Sequence, residues 1–335
     1  MENLTNTTSW PPAAATDIYM YIELALGIIG TVGNGLVIVV VLSTPQMKTL
    51  TNYFIINLAV ADLMTSMLLI CNRFLLKIGD FPVPGGVSGE LYCRLYFSAQ
   101  FFWFTINASS YNLVLVTMER YFAIVHPLSY DKYFSKRSTA VFIACTWCFV
   151  FVLQFFTVAF HGYDEEIGCH LSVYPNAASA MAIGVMYFVL SYFVPLNVMI
   201  CAYYKIVSCL KLSASSLVSS NRGDDRAHTL LVARKRVIRM LLLVLLAYGI
   251  CWTPDSLLFL CYNLGVEINL GATFVQIIVV LKFANSILNP FIYVFKYKQF
   301  RQSLLKGFCS YMPCVRNKIE DHSTIVNTVH TNVNN

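Results

Sequence analysis

The stretch Asn285-Ser286-Ile287-Leu288-Asn289-Pro290-Phe291-Ile292-Tyr293 lies inside the last long apolar run of the chain. Proline removes a backbone hydrogen bond and bends a helix, and an amide in hydrocarbon needs a partner. Two asparagines and a proline are therefore costly in a lipid-facing helix, so this segment faces protein or water and is built to move. It reads as a working part of a membrane protein.

Composition agrees: of 335 residues, 57% are hydrophobic and 12% charged, against roughly 25% charged in soluble domains. A helical span needs about 20 apolar residues. Seven runs qualify, over residues 18–42, 52–76, 91–125, 139–160, 180–210, 237–261 and 272–295. The third and fifth are longer than a bilayer is thick, which predicts tilt or projection past the headgroups. The expected fold is an all-α membrane protein. Residues 1–17 form a tail, 18–295 a seven-transmembrane helix bundle, 296–308 a short amphipathic eighth helix, and 309–335 a second tail.

Lysine and arginine set the orientation, because they accumulate in cytoplasmic loops. With the N-terminus outside, the inner face carries Lys132, Lys136, Arg137, Lys205, Lys211, Arg234, Lys235, Arg236, Arg239, Lys296, Lys298, Arg301 and Lys306. The outer face holds little beyond Arg73, Lys77 and Arg94, and carries the acidic run Asp164-Glu165-Glu166. The net charge of +6 is read as an insertion signal and not as a nucleic-acid footprint.

The first 17 residues lack the basic start, short apolar core and cleavage site of a signal peptide. They carry two glycosylation sequons, at Asn3 and Asn6, which suit an extracellular tail. A third formal sequon, at Asn107, falls inside a span, out of reach of glycosylation. Of eleven cysteines, Cys93 and Cys169 combine loop positions with the oxidising side of the membrane, which predicts a disulfide between them. Cys309 and Cys314 follow the cationic amphipathic stretch and are candidates for palmitoylation at the inner leaflet.

Several short motifs resemble, in order, those of the rhodopsin-like G-protein-coupled receptors: Gly33-Asn34, Leu58-Ala59-Val60-Ala61-Asp62, Glu119-Arg120-Tyr121, Trp147, Pro195 with Tyr203, Cys251-Trp252-Thr253-Pro254, and Asn289-Pro290-Phe291-Ile292-Tyr293. The resemblance covers almost the whole chain and implies a plasma-membrane receptor. Such a receptor converts extracellular ligand binding into nucleotide exchange on a heterotrimeric G protein, and is not itself a catalyst. It further implies that Arg120, held aside by Glu119, is freed on activation, with Tyr203 and Tyr293 swinging in beside it. Arg234, Lys235 and Arg236 stand where many members add an acidic latch, which implies raised basal activity. Asp62, Ser109, Asn285 and Ser286 match the family's sodium site, and their oxygens are hard ligands suited to a small cation. The alternative is a protonated Asp62 in a polar core without sodium. No other cofactor is expected.

Two departures stand out. Ser110 and Tyr248 occupy positions where the family uses a branched aliphatic residue and a phenylalanine as a packing switch. Cys93 also precedes Arg120 by 27 residues, two more than is usual in the family. Counted from the cysteine, Gln100 falls at the ligand level. No acidic residue occurs between Tyr96 and Met118, which argues against a monoamine ligand.

Charges deep in a span are rarely idle, and Arg73, Asp255 and Lys282 all fall at the outer end of the bundle. Two readings stand. Asp255 and Lys282 form a structural salt bridge, or ligand groups compete for them, with Arg73 taking an anion and Asp255 a cation. Trp252 lies one turn below as the lever. The segments around Cys261-Tyr262-Asn263-Leu264-Gly265 and Tyr297-Lys298-Gln299-Phe300-Arg301 are most similar to neuropeptide receptors, and the acidic loop suits a basic peptide. Ser323, Thr324, Thr328 and Thr331 are candidate kinase sites for arrestin recruitment. Other readings are a receptor for a non-amine small molecule or lipid, and an opsin-like photoreceptor. Lys282 lies eight residues before Pro290 and opsins use seven, a rotation of about 100° on a helix. A transporter or channel is weighed against the lack of an internal repeat.

Overall fold

The computed structural model describes residues 16–78, 85–165, 168–170, 174–219, 225–269, 272–296 and 300–305. Asn3, Asn6, Cys309, Cys314 and the tail hydroxyls lie outside that set, as do the side chains of Arg73, Tyr293, Arg234, Lys235 and Arg236.

Among the described residues seven long helices form: α1 (Thr16–Ser43), α2 (Leu50–Ile78), α3 (Gln100–Val125), α4 (Lys136–Phe155), α5 (Ala177–Phe188 continued by Val194–Ser219), α6 (Asp225–Asn263) and α7 (Thr273–Lys296). Among the described residues, six regions are long and apolar enough to cross a membrane. The exception is α3, which buries Thr105, Asn107, Ser109, Ser110, Asn112, Thr117 and Glu119. It touches α2, α4 and α5, so its polar groups meet protein instead of lipid. Outward positions on the other helices, such as Val32, Phe151, Val152, Ile250 and Phe291, are apolar and exposed, as a hydrocarbon solvent requires.

The third run is not one helix. A π-helical turn, Tyr92–Phe97, ends at Ser98, Ala99 adopts a left-handed conformation with φ 53°, and α3 starts afresh at Gln100. The break takes up the two extra residues between Cys93 and Arg120. The fifth run likewise holds a π turn, Val189–Phe193, just before Pro195. Both α5 and α6 reach further than expected, to Ser219 and from Asp225, so the stretch between the fifth and sixth apolar runs is helical up to Ser219 and again from Asp225. Local capping explains two starts: the side chains of Ser135 and Asn176 each accept the N3 amide, and their backbone N–H groups donate back to the hydroxyls of Ser138 and Ser179.

The motif residues tie helices together. Pro290 lacks the N–H that would bond the Ser286 carbonyl, and Asn34 Nδ2 of α1 supplies that bond at 3.0 Å. The approach is close: a Cβ on Gly33 would stand 3.2 Å from Pro290 Cβ and Cγ, so glycine lets α1 seat against the proline kink. Trp147 Nε1 donates to Asn57 Oδ1 at 2.9 Å, and Asn57 donates to Asn112 Oδ1 at 2.5 Å, joining α4, α2 and α3. Residues 300–305 form a further helical turn whose Phe300 is buried in the main core.

At the Cys93 end, β1 (Gly162–Asp164) pairs antiparallel with β2 (Gly168–His170). Cys169 is bonded to Cys93, Cα to Cα 5.2 Å, so the hairpin is fastened to the π turn that precedes α3. The predicted disulfide is present.

Candidate functional site

Charges buried near the end of a bundle have to be paired. Lys282 of α7 is 7% exposed, and its ammonium donates to the Asp255 carboxylate of α6. The same ammonium lies 4.9 Å from the centre of the Trp103 ring and 4.8 Å from that of Trp252, within the ~6 Å at which an indole face attracts a cation. Side chains of α3, α6 and α7 therefore meet on one charge. Next to Trp103, Phe102 meets Phe283 of α7 edge-on at 5.0 Å. Gln100 is placed differently from its sequence-based expectation. Its amide oxygen accepts from Gln154 Nε2 at 2.7 Å and Thr157 Oγ1 at 3.1 Å, so it is turned toward α4. The break at Ala99 is the reason: beyond it, the register counted from Arg120 holds, and Phe102 and Trp103 take the level assigned to Gln100.

From this pocket a stack runs inward. Trp252 lies against Tyr248 with ring centres 5.1 Å apart. The Tyr248 hydroxyl and Ser110 Oγ are 2.9 Å apart and share a hydrogen bond, and both residues have no exposed surface. A polar contact thus stands where the family packs two apolar side chains.

Asp62 is fully buried. Ser109 Oγ donates to one of its oxygens at 2.5 Å and Asn289 Nδ2 to the other at 2.8 Å, linking α2, α3 and α7. Ser286 stands beside the same carboxylate, and its hydroxyl is buried. Asn285 is also buried, and among the described residues its Nδ2 has no hydrogen-bond partner.

At the far end of α3, Glu119 is 1% exposed and held from three directions. Arg120 Nε lies 3.0 Å from its Oε2, while Thr51 Oγ1 and the Tyr130 hydroxyl donate to Oε1 at 2.8 and 2.7 Å. Tyr130 sits on a short helix, Pro127–Tyr133. Burial, then its hydrogen bond to Glu119, push its phenol above the ordinary range. Tyr203 is buried, its hydroxyl 3.3 Å from Thr117 Oγ1. Tyr121 turns outward to His126 Nε2 at 3.0 Å.

Residues 33–293 match the family model described as 7 transmembrane receptor (rhodopsin family). The chain belongs to that family. The Allatostatin-A receptor of Bombyx mori is 30% identical over 292 residues, covering 84% of this chain and 76% of that receptor. Somatostatin receptor type 5 of Bos taurus is 32% identical over 308 residues, 89% and 78% of the two chains. Galanin receptor type 2 of Homo sapiens is 32% identical over 304 residues, 89% and 73%.

This rhodopsin-family receptor is a multi-pass membrane protein and not an enzyme. Among the described residues, its predicted site residues gather in three clusters: Trp252 with Asp255 and Lys282, Asp62 with Ser109, Ser286 and Asn289, and Glu119 with Arg120. Gln100 joins none of them. Sequence reasoning missed Trp103, Thr51 and Tyr130. A tryptophan inside a span reads as core, and Tyr130 reads as loop. The one local signal was Pro127, which starts the short helix at its first position.

Proposed function

We propose that this receptor sits in the plasma membrane with its N-terminus outside, binds a peptide at the Cys93 end and activates a heterotrimeric G protein at the Arg120 end. The observation that carries this reading is the continuity of buried contacts between the two ends. Lys282, paired with Asp255, meets Trp252, Trp252 stacks on Tyr248, and Tyr248 bonds Ser110 in the helix that carries Glu119 and Arg120. A ligand shifts such a system only by its differential affinity for the two forms. The pocket meets that condition, because its charge pair is shared between helices that move relative to one another about Pro254 and Pro290.

A peptide ligand is supported by the relatives, whose names are those of receptors for allatostatin-A, somatostatin and galanin. Acidic residues of the hairpin, Asp164 and Glu165, favour a basic one. The Glu119–Arg120 pair, with Thr51 and Tyr130 on the same carboxylate, holds the resting form, and its opening exposes Arg120 to the G protein. Asp62 with the hydroxyl oxygens of Ser109 and Ser286 fits sodium, and the buried Asn285 is included in the proposed site. Such an ion supplies positive charge that balances the buried carboxylate. Glycosylation at Asn3 and Asn6, palmitoylation at Cys309 and Cys314, a ligand contact at Arg73, inward motion of Tyr203 and Tyr293, and arrestin recruitment through tail phosphorylation complete the proposal.

The test is calcium and cyclic-AMP signalling in transfected cells against a broad peptide library, with Arg120→Ala as control. A response to one peptide, lost in the variant at equal surface expression, is expected. Silence of a well-expressed receptor across the library overturns the peptide ligand.

A further inference from the structure

We propose that the pocket contains a cation-binding cage, occupied in the resting receptor by its own Lys282, and that the ligand's ammonium or guanidinium group replaces that lysine. The inference rests on the ligand-receptor reading above and specifies the chemistry the pocket accepts.

Two indole faces and a carboxylate surrounding one ammonium make a recognition site for an organic cation. Here Trp103 and Trp252 supply the faces at 4.9 and 4.8 Å and Asp255 the carboxylate. The occupant arrives on the flexible stem of a neighbouring helix, so the cage is filled from within. Asp255 remains the more open member of the pair, its side chain 14% exposed against 9% for Lys282. Among the described residues, Lys282 Nζ donates to its Oδ2 and nothing donates to Oδ1. The buried Trp252 Nε1 also has no hydrogen-bond partner among the described residues. The cage therefore holds unused recognition capacity.

The sign of the incoming charge follows from the walls. An anion drawn to Lys282 would lie against the negative faces of two indoles and would strand Asp255 without its counter-ion. A cation replaces like with like and leaves the carboxylate paired throughout. Displacing Lys282 also removes the tie between α7 and the face of Trp252, the ring stacked on Tyr248. Recognition and release of the inward stack are then one event.

The test uses the purified full-length receptor in nanodiscs and its own tryptophan fluorescence, since the cage holds two of the four tryptophans. The probes are butylguanidinium, its neutral isostere butylurea, and the anion pentanoate. Lys282→Met vacates the cage while keeping most of the stem, and should bind butylguanidinium at least tenfold more tightly than wild type. Butylurea and pentanoate should not saturate, and Lys282→Met/Asp255→Asn should lose the gain. Equal binding of butylurea, preference for pentanoate, or no gain over wild type overturns the proposal. If Lys282→Met fails to accumulate, its surface expression is measured in cells grown with butylguanidinium or butylurea. Rescue by the guanidinium alone supports the cage, and rescue by neither or by both overturns it. The fragment assay involves no peptide and no G protein. Failure of the peptide reading leaves its result intact, and failure of the cage leaves peptide signalling intact.

Discussion

Tyr248→Phe removes one hydroxyl from the stack and little else, since the ring can keep its place against Trp252. Ser110 Oγ then loses its 2.9 Å partner in a site closed to solvent. Leaving a buried hydroxyl unsatisfied costs about 1–3 kcal/mol. If the bond belongs to the resting form, that cost falls on the resting form alone, and the ratio of resting to active receptor drops by about 5- to 150-fold. Basal cyclic-AMP or inositol-phosphate signalling, normalised to surface expression, should rise accordingly. Ser110→Ala should raise it too, because it strands the phenol. The double variant removes both partners and should return toward wild type, since paired removal is close to neutral. A double-mutant cycle reads this as a coupling energy. Basal signalling unchanged in both single variants at matched expression, or additive in the double, refutes a resting-state role for the bond.

Asp62→Asn should abolish any sodium dependence of agonist affinity, read by radioligand binding in sodium against N-methylglucamine; undiminished sodium sensitivity would contradict the site. Tyr130→Phe removes one of the donors to Glu119, worth about 1.5–3 kcal/mol for a bond to a charged group, and should raise basal signalling several-fold or more in the same expression-normalised assay. Ala99→Gly relieves a left-handed residue that costs roughly 1–2 kcal/mol and should raise the thermal midpoint of purified receptor, whereas Ala99→Val should lower it; the reverse order would remove the break as a real feature of α3.

Much of the bundle was legible because apolar length and the placement of lysine and arginine are one-dimensional signals. The runs at 18–42 and 272–295 match α1 and α7 within a few residues for that reason. The break before α3 was not legible. A π turn accepts the same apolar residues as an α turn, and the left-handed position is filled by Ala99, where a glycine would have marked it. That single missed break misplaced Gln100 and hid Trp103. Asp255 and Lys282 could be located as buried charges, since each is costly alone. Their pairing across α6 and α7 was one of two readings the sequence left open, and helix packing decides it; the hydrogen bond between Ser110 and Tyr248 across α3 and α6 was not foreseen, because no spacing encodes it. The ends of α5 and α6 were underestimated because Arg234, Lys235 and Arg236 break the apolar pattern without breaking the helix.

The central claim is that occupancy of the Lys282–Asp255 pocket drives nucleotide exchange through Arg120. The most direct measurement is the rate of GTPγS uptake by a panel of purified heterotrimeric G proteins, with receptor in nanodiscs and a peptide found in the library screen. Acceleration by the peptide is predicted for at least one G protein. Arg120→Ala should abolish it while keeping peptide binding, and charge reversal at Asp255 should abolish the binding itself. Exchange that persists undiminished in Arg120→Ala, or a bound peptide that accelerates exchange on none of the panel, would contradict the account.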